Sequence, residues 1–72
     1  MTMTVRTGTV TEFDDPRGIG VITDVDGSEF PFHCTAIADG SRHIDVGATV
    51  RFVDRPGHQG RWEATEIAPA IQ

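Results

Sequence analysis

His33 and Cys34 stand side by side, and a thiol next to an imidazole is the pairing a nucleophilic enzyme would use. Little in the chain completes it. In an extended strand neighbouring side chains point to opposite faces, so adjacency alone does not bring the two together. No third group is placed to orient the imidazole. His33, His43, His58 and Cys34 lack the spacing of a metal site, and no metal or other cofactor is expected. Glu12, Asp14 and Asp15 read as a solvated turn rather than an acid–base pair. These residues point away from an enzyme. The run Arg17-Gly18-Ile19-Gly20-Val21-Ile22, followed by Phe32-His33, looks like a nucleic-acid-binding strand pair in its glycine frame. Arginine there pairs with phosphate or stacks on a base.

The elements that would position these residues are short and β-rich. Residues 5–13 form a first strand, with Val10 inward and Thr9 and Thr11 outward. Asp14-Asp15-Pro16 is a turn, where proline presets φ and the carboxylates bond the backbone. Residues 18–25 form a second strand, and Asp26-Gly27 is a hairpin signal. Residues 29–34 form a third, with Phe30 and Phe32 on one face and Pro31 and His33 on the other. Proline within a strand implies an edge. A helical turn over residues 35–39 and a long connection over 40–46 precede a fourth strand, 49–54, with Val50 and Phe52 inward. Residues 55–60 are a loop and 61–68 the last strand. Five strands with two glycine-containing hairpins and one long crossover predict an all-β domain, a small five-stranded antiparallel OB-type barrel.

Composition agrees with that scale. The 72 residues suit one domain and one small core, expected over about residues 5–68 with frayed termini. No apolar run approaches membrane-spanning length and no signal pattern opens the chain, so a soluble cytoplasmic protein is expected. A single cysteine excludes an internal disulfide. The formal net charge is −5 and every cation is an arginine, which argues against a strong grip on duplex DNA or anionic membranes. A locally neutral strip that stacks on single strands remains compatible with it.

Taken in order, Gly8-Thr9-Val10, Phe13, the run from Arg17 to Ile22, Phe32-His33 and Thr35-Ala36-Ile37 resemble the cold-shock domain. Ile44-Asp45-Val46-Gly47-Ala48-Thr49-Val50-Arg51-Phe52 is similar to that family's L-x-x-G-x-x-V-x-F pattern. The resemblance covers roughly residues 7–67. It implies an OB-like barrel that binds single-stranded RNA or DNA without catalysis, often as an RNA chaperone.

The chain departs from the family pattern on the outer face. Where the family carries K-W-F, K-G-F-G-F and V-F-V-H-F, this chain has Thr11-Glu12-Phe13, Arg17-Gly18-Ile19-Gly20-Val21 and Phe30-Pro31-Phe32-His33-Cys34. The stacking positions therefore fall on Glu12, Ile19, Val21, Pro31 and Cys34, with His33 kept. The inward positions Val10, Ile22, Phe30, Phe32, Ile37, Val50 and Phe52 are all apolar. Contacts with a single strand are assigned to Phe13, Arg17, Ile19, Val21, Pro31, His33 and Trp62, with Arg6, Arg51 and Arg61 as further cations near the platform. Trp62 is otherwise read as a cap on one end of the core. The segment from Gly60 to Ile67 is one residue longer than the family's, which leaves its register open. Losing three aromatic stacks removes about 3 kcal/mol at the low end, roughly a hundredfold in affinity. Weak, salt-dependent binding is the expectation. The alternative is a protein-interaction module that uses Ile19, Val21 and Pro31 as an apolar contact surface.

Overall fold

A computed structural model describes residues 5–57 and 61–70. Its strands are β1 Val5–Asp14, β2 Ile19–Asp24, β3 Glu29–His33, β4 Thr49–Pro56 and β5 Trp62–Pro69. A 3-10 turn, Cys34–Ala36, follows β3. The strands pair antiparallel in the order β3-β2-β1-β4-β5. The outermost strands, β3 and β5, come into contact. This is the expected all-β, five-stranded OB-type architecture, and Pro31 lies on an edge strand as expected.

β1 is the longest strand, because it pairs with β4 from Val5 to Thr9 and with β2 from Gly8 to Asp14. Between the pairs Val10↔Ile22 and Glu12↔Val21 the ladder shifts, and Thr11 is the extra residue of a β-bulge. Strict alternation from the inward Val10 would turn Glu12 into the core. The bulge sends Glu12 outward instead and brings the half-buried Phe13 round to the core side. Beside the bulge, the N–H of Val10 donates to Ala48 O at 2.9 Å and its carbonyl accepts from Gly47 N at 2.7 Å. These two bonds carry the β1–β4 pairing past its last ladder pair, Thr9↔Thr49, into the turn before β4.

A second shift separates Arg51↔Ala68 from Val53↔Thr65, so Phe52 faces both Glu66 and Ile67. Glu66 sits at φ 51°, a left-handed conformation that marks the extra residue. Ala64 and Ile67 therefore both point inward, three positions apart.

The core joins Val10, Ile22, Phe30, Phe32, Val50, Phe52, Ala64 and Ile67, with Phe30 and Phe52 ring centroids 5.2 Å apart. Every residue read as inward from the sequence is buried. The hairpin at Asp26-Gly27 forms as its sequence directs: Gly27 has φ 93°, and Asp24 N donates to Ser28 O at 2.8 Å. β4 continues two residues past the expected end, and of the expected loop 55–60 only residues 58–60 lie outside the described residues. No helix among the described residues is long and apolar enough to cross a membrane.

Candidate nucleic-acid interface

Antiparallel register sets side chains of β1, β2 and β3 against one another on the outer face. Ile19 lies opposite His33 and Val21 opposite Pro31. Across the other side of β2, Asp14 lies opposite Ile19 and Glu12 opposite Val21. Glu12, Phe13, Arg17, Ile19, Val21, Pro31 and His33 line one open depression. Trp62 lies in a neighbouring depression with Arg6, Glu29, Asp54 and Arg61. Val21 and Pro31 border both, so the two form one continuous strip. Six of the seven residues expected to meet a single strand are together in the first depression, and Trp62 joins them through Val21 and Pro31.

Two sequence readings need correction. Trp62 is not buried over the end of the core: it is 52% exposed and lies outside the core cluster. It pairs with Pro56 at the outer end of β5, while Ala64 and Ile67 occupy the inward positions of that strand. Cys34 and His33 do approach each other, because β3 ends at His33 and Cys34 starts the 3-10 turn. Cys34 Sγ lies 3.9 Å from His33 Nδ1. The Nδ1 lone pair is engaged by Thr35 rather than by the thiol. Nδ1 accepts the backbone N–H of Thr35 at 3.3 Å and lies 3.0 Å from Thr35 Oγ1. A backbone N–H only donates, so Nδ1 carries the lone pair and the neutral ring carries its proton on Nε2. Cys34 lines neither depression, its sulfur instead lying in the hollow over Gly18.

The two glycines of β2 and its approach are shaped by this packing. Gly18 has φ 67°, and a Cβ there would stand 2.7 Å from Cys34 Sγ. On Gly20, a Cβ would stand 2.6 Å from Glu12 O and 2.6 Å from the Phe32 ring. Phe13 stacks on Phe32 with centroids 6.0 Å apart and planes 8° from parallel. Its other neighbour is the ring of His43, edge-on at 5.8 Å. His43 in turn places Nε2 3.1 Å from Asp45 and Nδ1 3.8 Å from Asp15, joining the long connection to the β1–β2 turn. No local pattern in the sequence marks His43 for this position.

Charge on the strip is mixed, with carboxylates in excess. The first depression carries Glu12, Asp14 and Glu63 against Arg17 alone, with Arg17 Nε 3.7 Å from Asp14. Arg6 is committed elsewhere. Its Nη1 donates to the buried Asp24 at 2.7 Å, its Nε lies 3.1 Å from Asp54, and its guanidinium covers Phe30 at 5.2 Å. The Asp24 hydrogen bond, followed by the Asp54 interactions, holds its pKa above the ordinary arginine value, against a lowering by burial. Arg51 lines neither depression.

The five antiparallel strands and the open strip across β1, β2 and β3 can be set beside known domains. The profile described as the 'Cold-shock' DNA-binding domain matches residues 6–70. The chain belongs to the cold-shock domain family, whose domains bind single-stranded nucleic acid and are not enzymes. It is 35% identical over 66 residues to Cold shock protein 2 of Lactiplantibacillus plantarum, covering 90% of this chain and 98% of that protein. It is 38% identical over 63 residues to Cold shock protein CapB of Pseudomonas syringae pv. tomato, covering 86% and 90%. Among solved structures, Drosophila Unr CSD456 superposes with a TM-score of 0.77 at 25% identity, over 97% of this chain and 30% of that one.

Proposed function

We propose that this protein binds single-stranded RNA or DNA weakly, with an affinity that salt lowers steeply, along the strip from His33 and Arg17 across Val21 and Pro31. The carrying observation is the chemistry of the outward positions on β2 and β3. Ile19, Val21 and Pro31 stand there, and Glu12 and Asp14 face them from β1. Aliphatic side chains give a base apolar contact without a flat π-face. Each aromatic stack is worth about 1–3 kcal/mol, so three absent stacks cost roughly a hundredfold or more. The neighbouring carboxylates repel phosphate, which leaves Arg17 and Arg61 as the principal cations for the backbone.

A titration of a fluorescently labelled oligonucleotide at low and at physiological salt tests this reading. Saturable binding at low salt that fades at physiological salt supports it, and tight, salt-resistant binding overturns it. The paired substitution Ile19→Phe and Val21→Phe is expected to raise affinity about tenfold or more, because it restores two flat faces on an intact groove. An unchanged affinity would mean that the groove itself, and not its stacking surface, limits binding.

One observation favours a second reading. Ile19 is 43% exposed beside the Val21–Pro31 pair, an apolar patch rimmed by acid, and such patches mark protein contacts. Amide shift mapping separates the two: oligonucleotide-induced shifts along residues 17–21 and 31–33 support nucleic acid. Shifts only on self-association or with a protein support the alternative.

A further inference from the structure

The chain contains four phenylalanines, one tryptophan and no tyrosine. Phe30, Phe32 and Phe52 are buried in the core. Phe13 is half-buried, with Phe32 against its face and His43 at its side. Trp62 differs from all four: it is 52% exposed at the outer end of β5, on the depression that Val21 and Pro31 share with the first. Leaving half of so large an apolar side chain in water forgoes stabilisation that burial would supply. The core does not claim it, since Ala64 and Ile67 fill the inward positions of β5.

Its neighbour adds a second, independent observation. Arg61 is exposed and lines the same depression. Arg6 and Arg17 are both paired with carboxylates, whereas no ion pair holds Arg61 among the described residues. An open indole beside an uncommitted guanidinium is the combination that takes one base by stacking and its phosphate by charge.

We propose that Trp62 is the principal stacking residue of the single-strand site, with Arg61 as its phosphate partner. The aromatic contact has moved from the middle of β2 and β3 to the β4–β5 end of the strip. A bound strand then runs from His33 across the aliphatic Val21–Pro31 pair to Trp62. This rests on the nucleic-acid reading and assigns the residue that carries most of its affinity.

With no tyrosine and one tryptophan, intrinsic emission reports on Trp62 alone. A short oligothymidylate with a terminal fluorophore is titrated at low salt, and anisotropy and tryptophan emission are read together. The expected result is quenching of Trp62 with the same midpoint as the anisotropy change. Trp62→Ala is expected to weaken binding about fivefold to a hundredfold, and Trp62→Phe to retain most of the affinity. Arg61→Gln is expected to lower the slope of log affinity against log salt by about one. Trp62 lies outside the core, and circular dichroism checks that each variant is folded. Anisotropy that saturates while Trp62 emission stays constant, with Trp62→Ala binding as the unchanged protein does, overturns the assignment and leaves the nucleic-acid reading standing. No anisotropy change in the unsubstituted protein overturns the nucleic-acid reading, and this assignment with it.

Discussion

Gly20 has no room for a side chain. A Cβ would meet the Glu12 carbonyl, which belongs to a paired strand, and the ring of the buried Phe32. Neither neighbour can move without disturbing the sheet or the core. Gly20→Ala is therefore expected to cost about 1–3 kcal/mol of stability, read from the urea midpoint. A midpoint equal to that of the unsubstituted protein would show that β1 and Phe32 give way easily. His33 carries two separable roles. Its Nδ1 accepts the Thr35 N–H, which caps the 3-10 turn, while its Nε2–H remains available on the strip. His33→Ala removes both and is expected to cost about 0.5–1.5 kcal/mol in the same measurement. His33→Asn supplies a shorter acceptor for the cap but no ring donor. It is expected to recover stability without recovering oligonucleotide affinity. Parallel loss of both properties in His33→Asn would tie the ring itself to the fold.

At the scale of elements, what the sequence made legible is what alternation controls. Phe30 and Phe32 inward, Pro31 and His33 outward, follow from a period of two along an unbroken strand, and the structure places them so. The Asp26-Gly27 hairpin follows from turn chemistry alone. The two bulges are a different case, because an extra residue is defined only against a partner strand. Phe13 on the core side of β1 and the exposed position of Trp62 on β5 depended on that pairing, and on which residues had already filled the core. The turns also carry a pH dependence. Asp26 accepts the backbone N–H of Ser28, and Asp39 that of Ser41, each at 2.9 Å. These bonds hold both carboxyls below their ordinary value of 3.8. A depressed folded value means that the stabilisation is complete above 3.8 and is lost as pH falls through the lowered values. The double substitution Asp26→Asn and Asp39→Asn is expected to flatten the fall of the thermal midpoint below that pH. Identical slopes would show that the turns open before they titrate.

At the scale of the whole molecule, one charge balance acts on folding and binding with opposite signs. A net charge of −5 is carried on a body with a radius of gyration of 11.1 Å. At about 0.01 M salt the screening length is roughly 30 Å, so the excess negative charge repels itself across the whole body; at about 0.15 M it is roughly 8 Å and only neighbours interact. The strongest attractive cluster, Arg6 with Asp24 and Asp54, lies partly out of water, where salt screens little. Added monovalent salt therefore removes more repulsion than attraction from the folded state. The thermal midpoint is expected to rise between those two salt concentrations. Over the same interval oligonucleotide affinity is expected to fall, because cations bound to the nucleic acid compete with the few arginines on the strip. Thermal melts and oligonucleotide titrations in matched buffers read the two trends together. A midpoint that falls with salt would mean that surface pairs such as Arg17 with Asp14 contribute more to the fold than the net charge opposes. An affinity that rises with salt would assign the apolar strip, rather than Arg17 and Arg61, to the larger share of binding.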